Sequence, residues 1–593
     1  MRRLSLKSRR KRDGNSITAF ARRWGPFFYL GGCVVAGALG AGTVKAQGLP
    51  GFERPGEDRR RPPAEIKEDA KPGLVLPPVA PPAKARELLS TGVRVHLSKF
   101  RVEGNTMFSG EELGRIVARY ENREIGNDEI EEARLAITRH YINAGYLNSG
   151  AIVPDQEVIG GIVTIRVVEG LLTEIEVPGA HRFRSEYLTS RIMPDPGRPL
   201  NVSGLWDNLQ LLLQNPQIER INAELGPGVR PGESSLRANV TEAKRYRIGM
   251  SLANNRPPGV GPVRAEIHGA ADNLLGVSDS LALRLGKTGG LDDAGISYSL
   301  PVSSRDTTLT LRWDKSNSTV LEEPFRSIDI TGKSETFEIA LGHPLYRTLQ
   351  RELSAGLSIV KRSGETFLLG EPFSFSPGTV DGRSKISAAR LSAQWSDRTA
   401  DNVFALRWVL SYGLDAFGAT IHDDGSPDSR FFTSLGQAQW VRRLAGNRGE
   451  VLARGEIQKT DGALLPLEKY AVGGSESVRG YRENVLVKDN GWNASLEYRL
   501  PLARVPVPEL GDGPNDGQVK LAFFADAGRA WDADAAPGAA RTLYGVGIGV
   551  RWNVTADAYV HLYKGFALRN MDVRDRDLQD SGIHFRLGIQ KRF

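Results

Sequence analysis

The chain has a single cysteine, Cys33, only eight histidines, scattered along its length, and no long apolar run beyond its first residues. A lone thiol closes no disulfide within the chain. Cys33 lies in a leader expected to be removed, so no thiol chemistry is expected of the mature protein. Motifs that hold metals or phosphates are missing: there is no His-Glu-x-x-His, no Walker loop and no cysteine cluster. The nearest approach to a Gly-x-Ser-x-Gly elbow, Gly473-Gly474-Ser475-Glu476-Ser477, ends in serine. His140 falls on a helix as a surface or core residue rather than a ligand. These absences point to a protein that is not an enzyme and takes no cofactor and no metal. No stretch after the leader approaches the roughly 18 apolar residues of a membrane helix. The mature chain is therefore either soluble or crosses a membrane as a closed barrel.

Residues 1–46 read as a secretory signal peptide of the extended kind. Arg2, Arg3, Lys7, Arg9, Arg10, Lys11, Arg12, Arg22 and Arg23 precede an apolar stretch, Phe27 to Ala41, and Val44-Lys45-Ala46 suits a cleavage site. The stretch is short and interrupted by glycine, which disfavours an uncleaved anchor. Apolar sequence continues past Leu30-Gly31-Gly32-Cys33, unlike a lipoprotein box. The leader carries ten Lys or Arg and one Asp, a net of +9, against +8 for the whole chain. The mature protein is therefore near neutrality and shows no basic footprint for nucleic acid.

From 47 to 95 proline and charge dominate, as in Pro77-Pro78-Val79-Ala80-Pro81-Pro82. Such a segment buries no core and serves as a linker, with a possible plug segment at its start. Residues 96–171 then read strand-helix-helix-strand-strand. The first strand is Ser98 to Asn105. Ser109-Gly110-Glu111-Glu112 is a capping box, and Asn127 is expected to cap a helix with Ile130, Ala133, Ile137 and Tyr141 on one face. Gly145 ends that helix, and Val163, Ile165 and Val167 alternate in a closing strand. Residues 172–245 repeat the order, with helices near Ser185–Ile192 and from Ser203 through Leu213. Phe100-Arg101-Val102-Glu103-Gly104-Asn105-Thr106 and the downstream Ala144-Gly145-Tyr146 resemble a periplasmic polypeptide-transport-associated (POTRA) domain. The second module resembles one in order and position.

From Tyr246 to Phe593 the texture is alternation broken by turns. Trp492, Ala494, Leu496, Tyr498 and Leu500 share one face, and Asn493, Ser495, Glu497 and Arg499 the other. Tyr544, Val546, Ile548, Val550 and Trp552 alternate with Gly545, Gly547, Gly549, Arg551 and Asn553. One apolar face against one of charge or glycine is the pattern of a lipid-facing exterior and a wet lumen. Aromatic residues at strand ends favour this over a soluble sandwich. Sixteen such strands are predicted, which brings both barrel ends to the same side and makes 459–488 the sixth loop on the far side.

That loop carries Val478-Arg479-Gly480-Tyr481, and the strand after next carries Phe524-Ala525-Asp526-Ala527-Gly528. Parity with Val519, Leu521 and Phe523 outside turns Asp526 inward. The two motifs together resemble those of the outer-membrane protein assembly and translocation superfamily. The modules before them resemble its two-partner secretion branch, the haemolysin secretion/activation and filamentous-haemagglutinin transporters. The resemblance implies a membrane β-barrel of 16 antiparallel strands preceded by two α+β periplasmic POTRA domains, in the outer membrane of a Gram-negative cell. It implies a loop–lumen lock of Arg479, Gly480, Tyr481, Phe524, Asp526 and Gly528, in which the Arg479–Asp526 pair predicts equal losses from removing either charge. It also implies that terminal Phe593 is an assembly signal, read by the barrel assembly machinery, and that the barrel contacts outer-membrane lipid. The expected partner is an unfolded secreted protein, haemolysin- or adhesin-like, with no nucleic acid. An outer-membrane assembly factor fits less well because only two modules fit before the barrel. A general porin fits less well because it has neither the modules nor the loop motif.

Overall fold

The computed structural model describes residues 74–75 and 94–593, except 194, 231, 324, 447, 509–512, 514–515, 535–540 and 571–576. The expected leader, most of the proline-rich segment and the possible plug at its start lie outside the described residues.

In the first module Lys99–Glu103 runs parallel to Ile162–Val168, which pairs antiparallel with Gly150–Ile152. Helices Gly110–Val117 and Asn127–Asn143 cover this sheet. Leu113, Val117, Ala133, Ile137 and Tyr141 from the helices meet Phe100, Val163, Ile165 and Val167 from the strands in one buried core. Both helix starts differ from expectation. Ser109 Oγ accepts from the Glu112 N–H at 3.2 Å, but the Glu112 carboxylate turns to His140 Nε2 at 3.2 Å. Asn127 is the first helical residue rather than the cap. Glu129 reaches back three residues to accept from the Gly126 N–H at 3.0 Å, which shifts the cap by one. Gly145, at φ +92°, ends the helix in a conformation that favours glycine.

In the second module Ile218–Pro227, Glu233–Glu242 and Leu171–Glu176 form a sheet under helices Ser185–Ile192 and Val202–Leu213. Asn201 caps the latter, accepting from the Gly204 N–H at 3.1 Å. Leu188, Ile192, Leu205, Leu209, Ile221 and Leu236 anchor its core. Leu74–Val75 adds a parallel strand to the outer edge at Ile221–Asn222.

Glu169 stands where the two modules join. It accepts from the N–H groups of Thr106 (2.7 Å) and Met107 (2.9 Å), from the Tyr141 phenol (2.7 Å) and from the Thr106 hydroxyl. Burial opposes its ionisation, but the Thr106 hydroxyl and these other donors outweigh it and hold the carboxyl below its ordinary range. Burial and the adjacent carboxylate push the Tyr141 phenol up.

From Tyr246 to Arg592 sixteen antiparallel strands close into a barrel. Large apolar residues such as Ile267, Leu285, Leu357, Leu496 and Ile548 are exposed on its outside, while Arg264, Arg284, Asp293, Asp314 and Glu497 are buried within. That inversion of a soluble core is what a lipid solvent selects. Strand 1 (Tyr246–Ala253) pairs with strand 16 (Ile583–Arg592) from Arg247↔Arg592 to Ala253↔Arg586. Phe593 completes the seam: its N–H donates to Tyr246 O at 3.0 Å, its carbonyl accepts from the Tyr246 N–H at 3.1 Å, and the two rings lie 6.0 Å apart.

The wall is uneven in height. Strands 1–3 have 8, 9 and 8 residues, whereas strands 6–8 (Ile330–Arg347, Arg351–Leu368, Arg383–Thr399) have 18, 18 and 17. Sequence alternation predicted 333–343, 350–361 and 385–396 for these three strands, and the largest shortfall is the upper end of strand 7, beyond residue 361. Above the apolar band both faces are polar, so the alternation vanishes while the ladder continues. Cross-strand partners such as Lys333↔Glu365 and Glu365↔Arg383 continue it.

The second module is tied to the barrel's near-side turns. Arg191 donates to Ser303 O at 2.7 Å and to Asp306 Oδ1 at 2.9 Å, and Asp306 also takes Arg347 at 2.8 Å. Gln217 and Asn215 bond to Ser278, and the Arg184 N–H donates to Gly276 O at 2.9 Å.

Glu169→Gln in the full-length protein should speed amide exchange at Thr106 and Met107 at neutral pH. The folded carboxyl titrates below its unfolded value, so the wild-type advantage is present above the ordinary carboxylate range and is lost as pH falls through the folded value. An undiminished difference in acid would show that the charge is not what holds this joint.

Candidate functional site: a loop clasped inside the lumen

The chain between strand 11 (Glu450–Thr460) and strand 12 (Asn490–Arg504) folds back into the barrel rather than outward. A short ribbon, Tyr470–Val472 paired with Leu486–Lys488, stiffens it. Tyr470, Val472, Val478, Tyr481 and Leu486 pack with Ala530 and Leu543 of the wall in a small apolar cluster. This apolar patch in a polar lumen favours one face of the loop against the wall.

Arg479 lies at the tip, buried to 3% exposure. Its Nε donates to Asp526 Oδ2 at 2.8 Å and its Nη2 to Asp526 Oδ1 at 2.9 Å, a bidentate pair. Its backbone N–H donates to the same carboxylate at 3.0 Å. Nη1 bonds Glu497, and Nη2 also donates to Ser495 Oγ at 3.1 Å. The guanidinium carbon sits 3.6 Å from the Phe524 ring centre and 5.0 Å from that of Tyr563. Glu497 is shared further: it accepts from Arg499 Nε at 2.6 Å and from the Tyr563 hydroxyl at 3.1 Å.

The wall makes room for the tip with glycine. Gly480 has φ +99°, and its N–H lies 3.4 Å from His584 Nε2. A Cβ on Gly545 would fall 2.1 Å from Arg479 O, and one on Gly565 would fall 2.4 Å from Gly480 N. A Cβ on Gly528 would meet Val472 and Val478 at 2.6 and 2.9 Å. Tyr481 donates its hydroxyl to Tyr544 O at 3.0 Å.

Other contacts spread the loop across the lumen. Glu468 takes Arg390 at 2.8 Å and Arg362 at 3.1 Å from strands 8 and 7. Arg482 holds Asp580 and Glu322, each at 2.7 Å. Ser475 Oγ donates to Glu483 at 2.7 Å, and Ser477 Oγ accepts from the Gly473 N–H at 2.8 Å, so both serines stitch the loop's own turn. Among the described residues no cluster of His, Cys, Asp or Glu could hold a metal ion.

Arg479, Gly480, Tyr481, Phe524, Asp526 and Gly528 thus lie together in the structure, while Phe593 lies apart at the seam. The sequence reading missed Glu497, Ser495, Tyr563, His584 and the glycine floor. Inward parity on strand 12 marked Glu497 and Ser495 as lumenal. Nothing in parity showed that they lie at the depth of Asp526.

An outward-apolar barrel of sixteen strands, with a charged lumen that a loop enters and αβ modules at one end, defines an outer-membrane barrel protein with POTRA domains. Residues 232–552 match the family "Haemolysin secretion/activation protein ShlB/FhaC/HecB", and residues 95–170 match the ShlB-type POTRA domain. The chain is 22% identical to the outer membrane transporter CdiB of Dickeya dadantii over 499 residues, covering 80% of this chain and 84% of that one. It is 26% identical to the heme/hemopexin transporter protein HuxB of Haemophilus influenzae strain 86-028NP over 488 residues, covering 79% and 83%. Its fold is similar to solved CdiB from Escherichia coli (TM-score 0.65, 21% identity, 87% of this chain and 93% of that one). It is also similar to BamA from Haemophilus ducreyi lacking POTRA domains 1–3 (TM-score 0.52, 14% identity, 84% and 100%). The chain belongs to the haemolysin secretion/activation family, the two-partner secretion transporters of the outer membrane, with its modules on the periplasmic side. Members of this family are transporters of secreted proteins rather than enzymes.

Two carboxylates on one guanidinium change the outcome expected of a simple pair. Arg479→Ala strands Asp526 and takes one of two arginines from Glu497, which keeps Arg499, whereas Asp526→Ala leaves Arg479 paired with Glu497. Breaking a buried pair by removing one partner costs about 3–5 kcal/mol, so the arginine variant should loosen the loop more. Gly545→Val should displace the tip sterically with every charge intact. Single-channel conductance in planar bilayers should rise in the order wild type, Asp526→Ala, Arg479→Ala, with Gly545→Val near the last. Equal conductance in the two charge variants would remove Glu497 from the clasp.

Proposed function

We propose that this protein captures an unfolded, secreted, haemolysin- or adhesin-like partner in the periplasm through its POTRA modules and exports it through the barrel. The observation that carries this reading is a loop folded into the lumen and held there by non-covalent contacts. Arg479, Gly480, Tyr481, Phe524, Asp526 and Gly528 form the lock, and the loop yields or shifts as the client passes. Capture proceeds by strand addition, in which backbone hydrogen bonds to a sheet edge tolerate many client sequences.

The edges differ in availability. At Gly150–Ile152 the Ala151 N–H donates to Thr138 Oγ1 at 3.0 Å and its carbonyl accepts from Arg134 at 2.9 Å, so that edge is taken. The opposite edge, Lys99–Glu103, is guarded at Phe100, whose N–H donates to Glu121 at 2.9 Å. The outer side of Leu171–Glu176 is the corresponding edge of the second module. Of these, Leu171–Glu176 is the receiving edge. With no nucleotide motif in the chain, folding of the client outside supplies the direction of travel.

Removing residues 96–244 should leave a barrel that inserts and conducts ions but exports nothing, measured as secreted client per heat-modifiable barrel. Undiminished export would exclude the capture role. Phe593 serves assembly by the barrel machinery. Its deletion should lower the amount of heat-modifiable barrel while leaving export per barrel unchanged, and an unchanged amount of barrel would refute that assignment.

A further inference from the structure

On the periplasmic side of the loop tip, the lumen wall carries a row of basic residues. Lys520 of strand 13 (Gln518–Trp531) is the direct partner of Arg551 on strand 14 (Arg541–Asn553). Arg551 is the partner of His561 on strand 15 (Ala558–Ala567), and His561 of Arg586 on strand 16. Direct partners share a face of the sheet, and Lys520 has the parity of Asp526, so all four point into the lumen. Strand 13 climbs from the periplasm and reaches Lys520 before Asp526. Strand 16 descends toward it and passes His584, beside the tip, before Arg586. The row therefore lies below the clasp.

Like charges placed directly opposite each other are destabilising, and the surrounding wall does not neutralise these. Arg551 donates Nη1 to the Tyr563 hydroxyl at 3.1 Å and makes no ion pair with a carboxylate among the described residues. The nearby carboxylates are divided among other cations. Glu450 accepts from Arg499 at 3.1 Å and lies 3.6 Å from Lys520. Glu497 is shared by Arg479 and Arg499. Glu476 lies 3.9 Å from Arg586 and 3.8 Å from Arg454. Glu266, beyond the seam, is held by Arg264. Cations thus outnumber carboxylates around the row. Nε2 of His561 is buried without a hydrogen-bond partner among the described residues, while Arg551, His561 and Arg586 as whole residues stay partly exposed. Strand 14 also turns Gly545, Gly547 and Gly549 inward, so an uncharged residue is compatible with this wall.

We propose that Lys520, Arg551, His561 and Arg586 form an oxyanion-binding row that takes the carboxylates of an extended, acidic polypeptide segment entering the lumen. That such a segment arrives from the periplasm rests on the proposed export; the row's preference for carboxylates does not. The arginine forks suit carboxylates, and His561 adds a further nitrogen between them. Three strand spacings of about 4.8 Å make the row roughly 14 Å long. Alternate side chains of an extended chain stand about 6.7 Å apart on one face, so three of them cover the same length. Because barrel strands tilt, the row climbs the lumen rather than ringing it. A single small anion would engage one arginine and leave the rest of the row unmet.

The test uses full-length protein in neutral detergent and two short fluorescent peptides, one alternating Glu with Ser and one alternating Lys with Ser. Affinity is read by fluorescence anisotropy. Wild type should bind the acidic peptide roughly tenfold or more tightly than the basic one. Arg551→Gln with Arg586→Gln should weaken acidic binding roughly tenfold. Arg407→Gln removes a lumenal arginine of strand 9 (Asn402–Gly413), bonded to Gln437 at 3.3 Å, and should leave acidic binding unchanged. If the double variant fails to fold, Arg551→Gln alone should still weaken acidic binding. Inorganic phosphate at constant ionic strength should displace the acidic peptide far less than unlabelled peptide does. Equal affinity for the two peptides, or no greater loss in the row variants than in Arg407→Gln, would overturn the proposal. Displacement by phosphate as strong as by peptide would make the row a small-anion site and overturn it as well. Peptide binding is read without export, so a protein that binds the acidic peptide but exports nothing would count against the capture reading alone.

Discussion

In hydrocarbon an unpaired backbone N–H or C=O has no water to turn to, and each costs several kcal/mol. For a chain that crosses by strands, this leaves one solution: the sheet must close on itself. Here closure depends on strand 1 meeting strand 16, and the final pair of hydrogen bonds, Tyr246 with Phe593, lies at the last residue of the chain. Closure then dictates polarity. The outward face must be apolar, so the polar half of every alternating strand is turned into a confined interior.

That interior explains the clasp. Charged residues such as Arg264, Asp293, Arg284 and Asp314 already pair across the lumenal wall at 2.6 to 3.1 Å, so a further buried arginine finds a pre-arranged polar setting. Arg479 engages a separate part of that polar wall, through Asp526 and Glu497, with Phe524 beneath its guanidinium. A buried ion pair is weak evidence for stability, because desolvation offsets much of its attraction. Its value here is positional: the planar fork fits one place and depth. Gly528, Gly545 and Gly565 let the tip backbone approach closely enough for that fit. Every contact of the tip with the wall is non-covalent.

The outside of the barrel follows the same rule. Its strands are short near the seam and overtopped by strands 6–8. The wall is therefore uneven in height.

Alternation from Tyr246 onward was enough to reveal sixteen strands and their inward and outward faces, because a side-chain period of two depends only on which side of the sheet is wet. Parity alone turned Asp526 inward, and the resemblance carried by the Arg-Gly-Tyr motif implied its partner. The tertiary structure decided how deep each lumenal residue lies, since depth depends on register and shear among strands distant in sequence. Hence Glu497, Ser495, Tyr563 and His584 joined Arg479 only once the barrel was closed. For the same reason Gly545 and Gly565, which read as ordinary lumenal positions, proved to be the floor on which the loop rests. Local chemistry named the strands and the charge that matters; closure of the sheet chose which residues surround it.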